Sequence, residues 1–187
     1  MTPPLCLILG GVRSGKSSFA EKLAQDMGEP TLYVATGLPI DQEMEQRIRR
    51  HRESRPAHWK TLEEPINLAA GIETELGSMA TPSVVLVDSL DLWVANWLLE
   101  HQSKEPGAVE DSVICAIDRL LSMACRTPAA YFLVSSEVGL SLVPPESLGR
   151  RFQDLLGLVN QRVAAAADRV YLVVAGIPKQ IKGSSGA

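Results

Sequence analysis

The chain has 187 residues, 45% of them apolar and 21% charged, which suits one globular domain with a sizeable core. A net charge of −4 argues against a strongly electrostatic nucleic-acid binder, and no apolar run is long enough for membrane insertion. The N-terminus lacks the basic flank and small-residue cleavage site of an export signal, and Cys6, Cys115 and Cys125 have no CxxC or metal-ligand spacing, so free buried thiols in a cytoplasmic protein are expected.

The first element is an apolar run at 5–9, read as a strand, followed by a glycine-rich segment and a helix over Lys16–Met27. A second apolar run at 31–36 precedes a helix over Gln42–Glu53, and a third at 83–88 ends in an acid. Residues 100–108 have loop chemistry and lead into a helix at 109–125. A strand at 130–135 is followed by a break over 139–149, where Pro144 and Pro145 stand, and then by an apolar-periodic helix around 152–167. The fifth run, 170–175, completes the set, and the tail at 183–187 has no reason to be ordered. These runs are nearly continuous in Val, Ile, Leu and Tyr instead of alternating, which marks strands buried on both faces. Strands alternating with helices predict a single α/β domain over 1–187: a P-loop NTPase-like open, mostly parallel sheet flanked by helices on both faces.

Gly10, Gly11, Val12, Arg13, Ser14, Gly15, Lys16 and Ser17 spell GxxxxGK[ST] between a strand and a helix. Glycines let the backbone turn tightly and approach phosphate oxygens without a Cβ in the way. Successive N–H groups then face one concavity, and the helix adds its positive end. In such a cradle Lys16 reaches the β- and γ-phosphates and the Ser17 hydroxyl ligates Mg²⁺. Asp88 ends an apolar strand and is the candidate second Mg²⁺ ligand; the competing reading is a cap for a helix starting at Leu90.

The segment QRIRRHRESRPAHWK sets Arg47, Arg49, Arg50, Arg52, Arg55 and Lys60 against the single acid Glu53. On a helix capped by Asp41, the spacing puts Met44, Ile48 and His51 on one face, with Arg47 and Arg55 nearby. Arginines beside a histidine could hold an anionic phosphate while the imidazole attacks it. The competing readings are a solvated charged face and a hydrogen-bonded core histidine, and His58 is the less favoured of the two histidines here.

Together these stretches resemble the bifunctional adenosylcobinamide kinase/adenosylcobinamide-phosphate guanylyltransferase family of cobalamin biosynthesis. The resemblance rests on GGVRSGKSSFAE, YVATGLPIDQEMEQRIRRHRESRPAHW, VVLVDSLDLWVAN and the stretch from VSSEVG to IPKQIK, and so spans nearly the whole chain. It implies two reactions: ATP or GTP phosphorylates the aminopropanol hydroxyl of adenosylcobinamide, and GTP then passes GMP through a histidine to the phosphorylated product, giving adenosylcobinamide-GDP. The family's histidine falls on His51, whose neutral imidazole would attack the α-phosphate. By the same matching Arg52, Glu53, Ser54, Arg55 and Glu63 line the nucleotide site, as do Ala35, Thr36 and Gly37 after the second strand. A homotrimer is implied as well. The chain departs from the family at Ser136, where Asn is common, and at Gln153 and Leu158, where arginines are common. Apart from the resemblance, a P-loop kinase of another small alcohol and a non-catalytic nucleotide-binding regulator remain open.

Overall fold

Leu5–Gly10 forms β1 with every residue buried, the environment expected of an apolar run without alternation. The computed structural model describes residues 3–28, 30–53, 55–79 and 84–183, with Glu43 and Arg47 described in backbone only, so Ser54 and, of the expected tail at 183–187, all but Gly183 lie outside the described residues. After β1 come α1 (Lys16–Met27), β2 (Thr31–Ala35), α2 (Gln42–Glu53), β3 (Lys60–Glu63), α3 (Leu68–Ser78), β4 (Val84–Asp88) and α4 (Leu90–Glu100). The chain continues through α5 (Pro106–Ala124), β5 (Ala130–Ser136), α6 (Ser147–Ala166), β6 (Arg169–Val174) and β7 (Ile177–Lys182).

Among the described residues the strands form one sheet in the order β3-β2-β4-β5-β1-β6-β7. All neighbours are parallel except β6 and β7, which pair antiparallel. Alternate residues of each inner strand serve opposite faces. Leu5, Leu7 and Leu9 join Val85, Val87, Tyr131 and Leu133 beneath α3, α4, α5 and α6. Cys6 and Ile8 join Tyr33, Val84, Leu86, Phe132 and Val134 beneath α1, where Ala20 and Ala24 allow close approach, and Trp59 completes that layer. The flanking is therefore two-sided but unequal. Helix α2 stands near the carboxyl ends of the strands, where a Cβ on Gly37 would meet Ile48 Cδ1 at 3.5 Å.

Two strands and one helix escape a reading of apolar runs. The β3 sequence KTLE is mostly exposed at one sheet edge, and β7, IPKQIK, is mostly exposed at the other. Polar side chains and proline suit edges, where one side of the strand has no ladder partner. Helix α3 also lies in a stretch without a strong apolar stripe, burying Leu68 and Ile72. Helix α5 begins at Pro106, earlier than 109, because proline suits the first helical turn and the Glu105 carboxylate accepts from Gly107 N–H at 3.2 Å. Helix α6 begins at Ser147, before 152, with Arg150 donating to Pro144 O at 2.9 Å from its first turns. The expectation of three buried thiols needs correction: Cys6 is buried in β1, whereas Cys115 and Cys125 are exposed. Both lie off the α5 stripe formed by Val113, Ile117, Leu120 and Ala124.

Polar latches set the loops at the carboxyl edge. The Thr36 hydroxyl donates to Ser89 O and accepts from Ser89 N–H, each at 2.8 Å, joining the end of β2 to the start of α4. Asn96 Nδ2 donates to Thr36 O at 2.7 Å, and Ser135 Oγ donates to Asn160 Oδ1 at 2.7 Å, tying β5 to α6. Gln153 Nε2 donates to Val138 O at 3.1 Å and to Ser141 Oγ at 2.7 Å, so this departure from the family pattern clamps the segment after β5.

Burial pushes the Cys6 thiol up to about 11, whereas nothing shields Cys115 and Cys125 from solvent. Native protein at mildly alkaline pH is therefore expected to modify at Cys115 and Cys125 with an aromatic disulfide reagent, and at Cys6 only after denaturant is added. Leu86, 0% exposed, should cost about 2–5 kcal/mol in urea unfolding when changed to Ala. Leu140→Ala, at a side chain 89% exposed, should stay within about 0.5 kcal/mol.

Candidate active site

The cradle lies where β1 hands over to α1. Gly10 closes the strand, and a Cβ there would come within 2.3 Å of Ser14 Oγ and 2.7 Å of Val173 O, so glycine alone fits. Gly15 sits at φ 94° before the first residue of α1, a left-handed conformation that favours glycine. Arg13 adopts φ 55°, again left-handed, in the exposed part of the loop with Gly11 and Val12. The loop is braced by Ser14 N–H donating to Gly11 O at 3.3 Å and by Gly176 N–H, from the β6–β7 turn, donating to Ser14 O at 2.8 Å. Lys16 is 8% exposed and its ammonium donates to Gly11 O at 3.3 Å, which folds the charge back across the loop.

Asp88 faces the cradle from the end of β4. Its Oδ1 accepts from Ser17 Oγ at 3.2 Å and its Oδ2 from the Tyr33 hydroxyl at 2.6 Å, while Ser89 occupies the N-cap of α4. Burial first, and then the Asp88 charge, hold the Tyr33 hydroxyl far above its ordinary value, so it is a proton donor to Asp88 at any physiological pH. Glu21 on α1 is also raised by burial and by Asp88, with Arg55 opposing. Ser17 and Asp88 offer a hydroxyl and a carboxylate, the hard oxygen donors that suit Mg²⁺. No group of three or more His, Cys, Asp or Glu able to hold a metal occurs among the described residues. A cation here would therefore draw its other ligands from phosphate and water, as Mg²⁺ does in nucleotide sites.

A cavity of about 380 Å³ opens beside this pair, the size of a small-molecule site. Lys16, Ser17 and Asp88 line it from the cradle side. His51, Arg52 and Arg55 line it from α2 and the turn beyond, and Ala35, Gly37 and Glu63 from the ends of β2 and β3. The helix carrying His51 starts as its sequence suggests, with Asp41 Oδ1 accepting from Met44 N–H at 2.7 Å. Met44, Ile48 and His51 share the cavity-facing side. Arg52 pairs with Glu63 across the rim. The Arg55 guanidinium lies 3.7 Å above the centre of the Tyr33 ring, and its Nε is buried without a hydrogen-bond partner among the described residues. Thr36 is fully buried in its latch to Ser89 and does not line the cavity, nor do the exposed Glu53 and His58.

Two residues that the sequence did not single out, Tyr33 and Asp91, also line the cavity. Tyr33 lines the cavity two positions before Ala35, on the same face of β2, and its ring is stacked near Trp59 at 6.3 Å. The strand alternation that places Ala35 could have pointed to Tyr33 as well. Asp91, in the first turn of α4, also lines the cavity, and its Oδ2 accepts from Ser136 Oγ at 2.8 Å. That bond gives a structural role to Ser136, the first departure from the family pattern. No sequence signal distinguished Asp91 from an ordinary acid in the first turn of a helix.

Comparison with known proteins bears on the fold and the family. The solved structure of the flagellar accessory protein FlaH from Methanocaldococcus jannaschii superposes with a TM-score of 0.54 at 15% identity, covering 98% of this chain and 80% of that one. The RadB recombinase does so with a TM-score of 0.51 at 14% identity, covering 91% and 74%. At such identities these likenesses speak for the fold alone. Among curated proteins, the bifunctional adenosylcobalamin biosynthesis protein CobP of Pseudomonas aeruginosa is 41% identical over 177 residues, covering 95% of this chain and 96% of its own length. CobU of Escherichia coli K12, with the same description, is 40% identical over 184 residues, covering 95% and 99%. The sequence pattern of the family described as cobinamide kinase / cobinamide phosphate guanyltransferase matches residues 6–181. With the match running from within β1 into β7, and with cradle and histidine helix both inside it, the chain belongs to the cobinamide kinase / cobinamide phosphate guanyltransferase family.

Proposed function

We propose that this chain performs both reactions in its family's description, phosphorylating cobinamide and then transferring GMP to the cobinamide phosphate, with His51 carrying the nucleotide between them. The supporting observation is the shared cavity: Lys16, Ser17 and Asp88 face it from one side and His51, Arg52 and Arg55 from the other.

In the phosphorylation the acceptor hydroxyl oxygen attacks the γ-phosphorus, and the bond to the β–γ bridging oxygen breaks, leaving a nucleoside diphosphate. Phosphoryl transfer of this kind depends on positioning and charge neutralisation. Lys16 supplies the charge by swinging from Gly11 O onto the β- and γ-phosphates, and the backbone N–H groups of residues 11–17 hold the phosphate oxygens. Bound Mg²⁺, held by Ser17 and Asp88, would neutralise phosphate charge.

In the guanylyl transfer an imidazole nitrogen of His51 attacks the α-phosphorus of GTP, and the α–β bridging bond breaks to release pyrophosphate. A phosphate oxygen of the cobinamide phosphate then attacks the same phosphorus, and the phosphorus–nitrogen bond breaks to return the imidazole. Arg55 presents its guanidinium to the α-phosphate from its seat on Tyr33, and Arg52 is steered along the cavity rim by Glu63.

Incubation with GTP labelled at the α-phosphate should give an acid-labile, alkali-stable protein label that is absent in His51→Ala, while His51→Ala still phosphorylates cobinamide. Absence of label in the wild type would reduce the chain to a kinase, and absence of phosphate transfer to any acceptor would leave only a nucleotide-binding regulator. Lys16→Ala should lower the phosphorylation rate by about 10²–10³-fold with an unchanged circular dichroism spectrum, the cost typical of removing one preorganised transition-state donor.

A further inference from the structure

Tyr33 stands where the cradle and the histidine segment meet, and it touches each with a different part of its side chain. Its hydroxyl donates to Asp88 Oδ2 at 2.6 Å, while Ser17 Oγ donates to the other oxygen of the same carboxylate at 3.2 Å. Its ring carries the Arg55 guanidinium at 3.7 Å on one contact and is stacked near Trp59 at 6.3 Å on another. The residue is 1% exposed in the middle of β2.

A core position of this kind would be filled at less cost by phenylalanine, since a buried hydroxyl must find a partner and here finds a carboxylate. The carboxylate in turn gains a second hydroxyl bond that fixes its rotation about Cβ–Cγ. With both oxygens engaged from different elements, the lone pairs left on Asp88 point in set directions. Arg55 is likewise constrained: a guanidinium lying flat on an aromatic face is held in orientation without being neutralised, and its buried Nε–H has no hydrogen-bond partner among the described residues.

We propose that Tyr33 is a positioning residue for both transfers, acting through its hydroxyl on Asp88 in the phosphorylation and through its ring on Arg55 in the guanylyl transfer. The inference rests on the two-step reading above and goes beyond it by separating two roles within one side chain. It also explains why the acid of the cradle and the arginine of the histidine segment meet on one residue of β2.

The test compares Tyr33→Phe, Tyr33→Leu and Arg55→Lys in the full-length protein. Three quantities are read: Mn²⁺ affinity in the presence of a non-hydrolysable GTP analogue by electron paramagnetic resonance, the Mg²⁺ requirement of cobinamide phosphorylation, and the GTP concentration dependence of histidine labelling at saturating Mg²⁺. Tyr33→Phe should weaken Mn²⁺ binding and raise the Mg²⁺ requirement roughly tenfold, as for a lost hydrogen bond to a charged group. It should keep labelling within about threefold of wild type, because the ring that bears Arg55 remains. Arg55→Lys should do the opposite, raising the GTP requirement of labelling several-fold with Mn²⁺ affinity unchanged. Tyr33→Leu should show both defects, and if it fails to fold the other two variants still decide the matter. Unchanged Mn²⁺ affinity in Tyr33→Phe, or equal losses in both steps for Phe and Lys variants alike, would overturn the proposal. Failure of the two-step reading looks different: the wild type then takes no label from GTP, while weakened Mn²⁺ binding in Tyr33→Phe still upholds the hydroxyl's role.

Discussion

Asp88 ends β4 with one oxygen bonded to Ser17 of α1 and the other to Tyr33 of β2, so a single carboxylate joins three elements at the carboxyl edge of the sheet. This is possible because β4 lies next to β2, with only β5 between it and β1 and its cradle. Parallel strands bring all their carboxyl ends to one side, where an open α/β sheet places its ligands. Thr36 stays buried beneath this edge, and its two bonds to Ser89 hold the β2 loop against the start of α4 directly after Asp88. Loss of Asp88 would therefore release the restraint that sets Tyr33 and Ser17 relative to each other, and with it the proposed metal ligand.

Charge is arranged around that acid with little outright neutralisation. Arg49, Arg52 and Arg55 of the histidine segment face a cavity that Asp88 also lines, and Glu21 lies close enough to feel the Asp88 charge. Glu21 is raised by its burial first, which favours its neutral form in the fold; its contribution to stability is therefore present at acid pH and is lost as pH rises through the shifted value. Arg52 is paired at the rim, whereas Arg55 rests on an aromatic face with its buried Nε–H unpartnered among the described residues. A polyanionic triphosphate entering such a space meets guanidinium groups already held in place by Glu63 and Tyr33, which reduces the ordering cost of binding.

The parts of the fold that were least legible are those whose residues carry no pattern of their own. Strand β3 is KTLE and is a strand because β2 offers it a ladder, through pairs such as Leu32 with Lys60 and Ala35 with Glu63. Strand β7 contains Pro178 and two lysines and exists because β6 turns back on itself at Ala175 and Gly176, both at positive φ. Yet each matters to the site: β3 delivers Glu63 to Arg52, and the turn before β7 supports the cradle through Gly176. Exposed edges tolerate polar side chains, so nothing in their composition separates them from loops.

The amino-acid sequence by itself determined the cradle, the acid that ends β4 and the helix that presents His51 between arginines. Each of these is written in consecutive residues, because glycine's backbone freedom, the two-residue alternation of a strand and the helical spacing of Met44, Ile48 and His51 are local properties. Only the tertiary structure decided which of these pieces face one another. It brought His51 and Lys16, far apart in the chain, onto one cavity, turned Thr36 inward as a latch, and made Tyr33 the contact between Asp88 and Arg55. Those outcomes depend on the strand order β3-β2-β4-β5-β1, and strand order is set by how whole faces of the sheet and helices pack together, which no local spacing encodes.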